Sequence, residues 1–274
     1  MPTNLTEVAQ FTANVPAPND GENANAASLI QAIQPLADRT QYLNAAVAEG
    51  ACIGRRLLYA PGDGTVMIGR VLVVLGGKLY ALAGGNLGVT GLAANTHYYV
   101  YVYVSAGALV TEYVPSPGVP DDALIFKSGD STRRYIGPFV TNGSAVPIPM
   151  RYEDGECVFR RSKIASGGDP LLVLTHTTLT TWTDVPCATL VPPHARLVGL
   201  RGYGFNTSGT TVVQLRTDGD TTGEWKIAQI VGGNTVYFSC DIELSSAQKA
   251  EAQHVDASSS VGQTMYFYVT RFRE

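Results

Sequence analysis

Several groups in this 274-residue sequence have side chains able to do chemistry, and each lacks part of the required set. Gly76-Gly77-Lys78-Leu79 has the glycines and lysine of a phosphate loop. The upstream glycine that would close the backbone around a phosphate is missing, and Leu79 stands where a metal-binding hydroxyl is needed, so the phosphate reading fails. Asp218-Gly219-Asp220, followed by Glu224, puts carboxylates on a turn without the full spacing of a calcium loop, and reads as a solvated hairpin tip. Asp121-Asp122 and Glu153-Asp154 read as loop charges rather than an acid–base pair. His97, His176, His194 and His254 have no adjacent nucleophile or orienting acid, and no G-x-S-x-G elbow occurs. Cys52, Cys157, Cys187 and Cys240 are too widely spaced for a metal knuckle and read as four buried thiols. The expectation is therefore no catalytic residue, no metal and no cofactor.

Binding is the alternative to catalysis. Sugar rings stack on exposed aromatic side chains while polar neighbours fix the hydroxyls. Trp182, Tyr203, Phe205 and Trp225 are the candidate receptor contacts, helped by loops 206–210, 218–223 and 231–234. The same residue types also fill cores and subunit interfaces, and the sequence leaves that alternative open.

Composition narrows the partners. Charged residues make up only 15% of the chain against 45% hydrophobic, so cores can form and wholesale disorder is excluded. The net charge is -4, which removes the electrostatic footprint of a nucleic-acid binder. Residues 1–50 hold five acids and one base, and the other 224 residues balance 18 acids with 18 bases. So sparsely charged a body suits a part packed among partners. Met1 to Glu7 show neither the basic nor the apolar region of a signal peptide. The apolar run Val66 to Leu75 is far short of the roughly 20 residues of a spanning helix. Synthesis in the cytosol and no membrane insertion are expected.

These residues need elements to position them. An extended arm leads into a helical stretch, Asn25 to Ala48, where Leu29, Ile33, Leu36, Leu43 and Val47 form a heptad seam interrupted by Pro35. Such a short stripe is marginal alone and needs cover from its own chain's strands or from copies of itself. From Ala51 the period becomes two, with short strands between glycine- and proline-rich turns. Expected strands include 66–75, 97–104, 134–140, 187–191, 195–205, 235–242 and 264–272. The fold expected is mainly β: a short amino-terminal, coiled-coil-like helical segment followed by two sandwich- or jelly-roll-like domains. The divisions are 1–50 for attachment and oligomerisation, 51–161 for a middle β domain, 162–170 for a linker and 171–274 for a carboxy-terminal sandwich.

Phe11-Thr12-Ala13-Asn14-Val15-Pro16, Gly21 to Ser28 and Leu36-Ala37-Asp38-Arg39-Thr40-Gln41-Tyr42-Leu43 resemble the amino-terminal region of tailed-phage fibres and other virion appendages. Asn95 to Tyr101, Lys127 to Asp130, Arg134 to Gly137 and Val191 to Arg196 are similar, less specifically, to segments of their β domains. The resemblance implies a non-enzymatic virion component. It would be commonly homotrimeric, docked on other virion proteins through residues 1–50, and would present β domains to a host glycan or protein. The rivals are a head decoration or a baseplate or collar protein that contacts other virion subunits, and a polysaccharide-modifying hydrolase.

Overall fold

The computed structural model describes residues 52–53, 56–116, 119–121, 123–160, 169–176, 181–222, 225–256 and 264–274. These residues are mainly β, with no helix among them and hence none long and apolar enough to cross a membrane. The expected arm and heptad, with Leu29, Ile33, Leu36, Leu43 and Val47, lie outside the described residues, as does most of 162–170.

The first strands are β1 (Cys52–Ile53), β2 (Leu57–Ala60), β3 (Met67–Ile68), β4 (Val71–Leu75), β5 (Lys78–Leu82) and β6 (Gly85–Asn86). They continue with β7 (His97–Ser105), β8 (Ala108–Pro115), β9 (Phe126–Lys127), β10 (Asp130–Val140), β11 (Met150–Glu153) and β12 (Glu156–Phe159). Then follow β13 (Leu172–His176), β14 (Thr183–Pro186), β15 (Leu197–Phe205), β16 (Thr210–Thr217), β17 (Trp225–Val231), β18 (Thr235–Glu243), β19 (Lys249–Asp256) and β20 (Thr264–Arg273).

Several boundaries differ from expectation for local reasons. The run 66–75 is two strands, because β3 pairs with β2 while β4 pairs with β5. Gly76 and Gly77, at φ 58° and 67°, make the tight turn of the β4–β5 hairpin, for which backbone of this hand is required. Residues 187–191 form a turn rather than a strand: the Leu190 and Val191 N–H groups both donate to the Cys187 carbonyl at 2.9 Å. In β20 Met265, Phe267 and Val269 enter the core at every second position, and Tyr268 between them is buried as well. A bulge at Thr270 then turns Arg271 outward and buries Phe272.

A nine-stranded sheet runs in the order β18-β15-β20-β12-β11-β2-β3-β6, with β13 also paired to β20. It crosses the 162–170 segment without a break, since Cys157 pairs with Phe272 and Glu156 with Arg273. One buried cluster likewise joins Leu58, Val100, Ile136, Tyr152, Leu200, Leu215 and Phe267. The other sheets are β1-β4-β5, β8-β7-β10-β9 and β14-β19-β16-β17. Strand β7 is covered on both faces: Tyr98, Val100 and Val102 enter the main core, while Tyr99 and Tyr101 join Tyr135 in a second cluster.

Strand β15 shows how the layers close up. A side chain at Gly202 would collide with the Phe238 ring, and one at Gly204 with Ile230. The two glycines leave room for those side chains between the layer bearing β18, β15 and β20 and the layer bearing β16, β17 and β19.

Candidate functional site

The outward face of β18, β15 and β20 carries a row of tyrosines. Alternation sends Val236, Phe238 and Ile242 toward the core and Tyr237, Ser239 and Asp241 to solvent. On β15 the outward residues are Arg201, Tyr203 and Phe205, and Tyr203 stands opposite Tyr237 on one side and Tyr266 on the other. The Tyr203 and Tyr266 rings stack with centroids 4.5 Å apart and planes 21° apart. Tyr237 is tilted 43° from Tyr203 and is 66% exposed, and Phe205 beyond it is 38% exposed. Burial, with a side-chain hydrogen bond to Tyr268, raises the Tyr203 phenol to about 12.

A second group of tyrosines is internal. Glu274, with a side chain 1% exposed, accepts hydrogen bonds from Tyr135 Oη at 2.5 Å, Tyr152 Oη at 2.6 Å and His194 Nε2 at 2.6 Å. A buried carboxyl group needs donors of this kind, and here they come from β10, β11 and the β14–β15 connection. Burial first, and then the Glu274 charge, push the Tyr135 and Tyr152 phenols well above their usual value. The Tyr99 and Tyr135 rings lie 5.6 and 6.0 Å from the His194 ring. His97, whose charged form is disfavoured by burial, falls from 6.5 to about 4.

A groove of about 770 Å³ opens beside this hub, lined in part by Asp121, His194, Arg196, Ser245 and Gln248. His194 Nε2 is engaged by Glu274, and Nδ1 is buried with no hydrogen-bond partner. The hub is built to join strands.

The other sequence candidates have structural partners. Trp182 lies on the other layer, its ring capped by the Arg216 guanidinium 4.0 Å from the centroid. Trp225 opens β17, and its side chain is outside the described residues. Loops 206–210 and 231–234 brace each other, with Gly232 N–H donating to Gly209 O and Gly233 N–H to Asn206 O; Asn206 is fully buried, not a surface contact. Asp220 accepts from Thr222, Asp121 from the Ile125 and Phe126 N–H groups, and Asp154 from the Arg56 N–H, while Glu153 pairs with Arg151. Carboxyl oxygens of Asp184, Asp218 and Glu251 lie within 4.8 Å of one another. Lys249 binds Asp184 at 2.5 Å and Arg216 binds Glu251 at 2.7 Å, so the cluster is an ion-pair network. Cys157 and Cys187 are buried free thiols, while Cys240 is only partly buried.

Sequence reasoning found Tyr203 and Phe205 and missed Tyr237, Tyr266 and Arg201. The signal was present in the alternation of β18 and β20. Only the cross-strand register shows that the tyrosines share one row.

No protein family matches this sequence, and neither does any curated protein. Solved structures give distant likenesses. The tandem CBM22-1-CBM22-2 domain of Paenibacillus barcinonensis Xyn10C is 10% identical, with 82% of this chain and 93% of that one covered and a TM-score of 0.22. The T13 IBDV viral particle is 13% identical, with 80% and 65% covered and a TM-score of 0.22. Likenesses at this level place the chain in no fold family.

Proposed function

We propose that this chain is a non-enzymatic adhesion component of a tailed-phage virion, a tail fibre or related appendage. It docks on other virion proteins through residues 1–50, trimerises through the Leu29–Val47 seam, and presents its β-sandwich body to a host-surface glycan or protein. The observation that carries the adhesive part is the row of Tyr237, Tyr203 and Tyr266 on a solvent-facing sheet, where a rigid scaffold holds aromatic surface out to a partner. The sparsely charged body and the resemblance of residues 11–43 support the virion setting.

The test is attachment of labelled purified protein to bacterial cells and competition with phage infection, with empty capsids as the comparison. Wild type is expected to bind cells and block infection, and the double variant Tyr203→Ala/Tyr237→Ala to lose both. Binding to capsids alone would replace the adhesin with a decoration protein. Light scattering is expected to give three copies per particle, and a monomer at micromolar concentration would remove the trimer.

A further inference from the structure

Cross-strand register sorts the outward face of β18, β15 and β20 into three rows. Tyr237, Tyr203 and Tyr266 form the first, Ser239, Arg201 and Tyr268 the second, with Tyr268 itself buried, and Asp241, Gly199 and Arg271 the third. Strands lie about 4.8 Å apart and outward side chains recur about every 7 Å along each, so the rows make a patch of roughly 10 by 14 Å. The patch grades from aromatic to polar to ionic.

Its parts are not equally available. Tyr203 and Tyr266 stack on each other, whereas Tyr237 is tilted from Tyr203 and 66% exposed, the most accessible ring of the row. The Arg271 guanidinium is held by both oxygens of Asp241, at 3.0 and 2.6 Å. A side chain at Gly199 would collide with Arg271, so the glycine lets that pair lie low across the strand. Beside it is a trough of about 460 Å³ lined by Val158, Gly199, Ser239, Thr270 and the Asp241–Arg271 pair. Arg201 is different: it is exposed, and no carboxylate among the described residues pairs with it. One uncommitted cation thus sits a single row from the exposed aromatic ring, beside the Ser239 hydroxyl and before the trough.

We propose that this face binds a carboxylate-bearing polysaccharide, a chain containing uronic acid units. The apolar C–H face of one pyranose rests on Tyr237. The carboxylate of that unit or its neighbour takes the Arg201 fork. Sugar hydroxyls meet Ser239 and the outer lone pairs of Asp241, and the chain continues into the trough. Charge complementarity selects this class. A neutral glycan leaves Arg201 without an anion, and a polyphosphate finds one free guanidinium with Asp241 and Glu156 close by. The inference rests on the adhesive reading above and narrows it to one ligand chemistry.

The test is calorimetric titration of the full chain with polygalacturonate and alginate oligomers and with their methyl esters, which keep the rings and remove the charge. Wild type is expected to bind at least one acid about tenfold more tightly than its ester, a gap of about 1.4 kcal/mol, and more weakly as salt rises. Tyr237→Ala is expected to weaken acid and ester alike. Arg201→Gln is expected to weaken only the acid and erase the gap, with unchanged circular dichroism. Equal affinity for acid and ester in wild type, or an Arg201→Gln variant that keeps the gap, overturns the proposal and leaves the adhesive reading standing. Cell attachment without binding to either acid does the same. Loss of both cell attachment and oligomer binding in the wild type overturns both.

Discussion

The molecule uses tyrosine in two opposite ways. Around Glu274, Tyr135 and Tyr152 are fully buried and spend their hydroxyls on one carboxyl group, and Tyr99 and Tyr101 pack beside them. On the β18-β15-β20 face, Tyr203, Tyr237 and Tyr266 pack ring to ring with no such carboxyl group, and Tyr237 is largely in water. Tyr135 and Tyr152 of the inner set gain strength from hydrogen bonds to Glu274 in a dry setting, so losing that partner costs much. In the outer set Tyr203 and Tyr266 are half-buried against the core and stacked on each other, and Tyr237 alone is largely exposed, with little buried to lose. One tyrosine cluster is thus internal and hydrogen-bonded, and the other lies on a sheet face; the adhesive role proposed above rests on the second.

The sharpest way to break this contrast is Glu274→Ala, which leaves two phenols and an imidazole without their acceptor. At roughly 1–3 kcal/mol per orphaned buried donor, a loss of about 3–5 kcal/mol is expected in chemical denaturation. A loss under about 1 kcal/mol would show that the hub is solvated and that the contrast is false.

Acid is the next probe. Folded His97 titrates near pH 4 against 6.5 for its ordinary value, so between these pH values the unfolded chain binds the extra proton. The sign follows: this contribution is fully present above pH 6.5 and is lost as pH falls toward 4. Its full size is about 3 kcal/mol, and His97→Gln is expected to flatten stability across that window. A slope as steep in the variant as in wild type would assign the acid sensitivity elsewhere.

Gly202→Ala tests the layer behind the outer tyrosines. A methyl group there meets the Phe238 ring, and overpacking of this kind costs about 1–3 kcal/mol. A lowered melting temperature is expected, with the phenylalanine forced out of place. The smallest effect belongs to Tyr237→Ala, expected to change stability by less than about 0.5 kcal/mol because the side chain is 66% exposed. A larger drop in a thermal melt would make Tyr237 structural and blur the distinction between the two clusters.

Much of the β architecture was legible in the residues. Period-two runs gave β7, β15 and β18 to within about two residues. Strand β19 escaped because its buried positions are Ala250, Ala252 and His254, which carry little apolar signal and alternate with helix-favouring Lys249, Glu251 and Gln253. The turn at 187–191 was masked by its apolar composition, since Leu190 and Val191 are buried without being in a strand. Of the exposed tyrosine row, only Tyr203 was visible as a candidate. The Glu274 hub was not visible at all, because its donors lie 80 to 139 residues away and nothing local marks them as partners.

The pairing of Cys157 with Phe272 has a consequence for how the polypeptide matures. During synthesis β12 has one edge waiting for a strand encoded more than a hundred residues downstream. Until β20 arrives, β15 also lacks its inner neighbour, and the greasy surfaces that will meet are open to other chains. A nascent copy surrounded by its siblings on one message is therefore most exposed to mispairing just before that late strand zips into place.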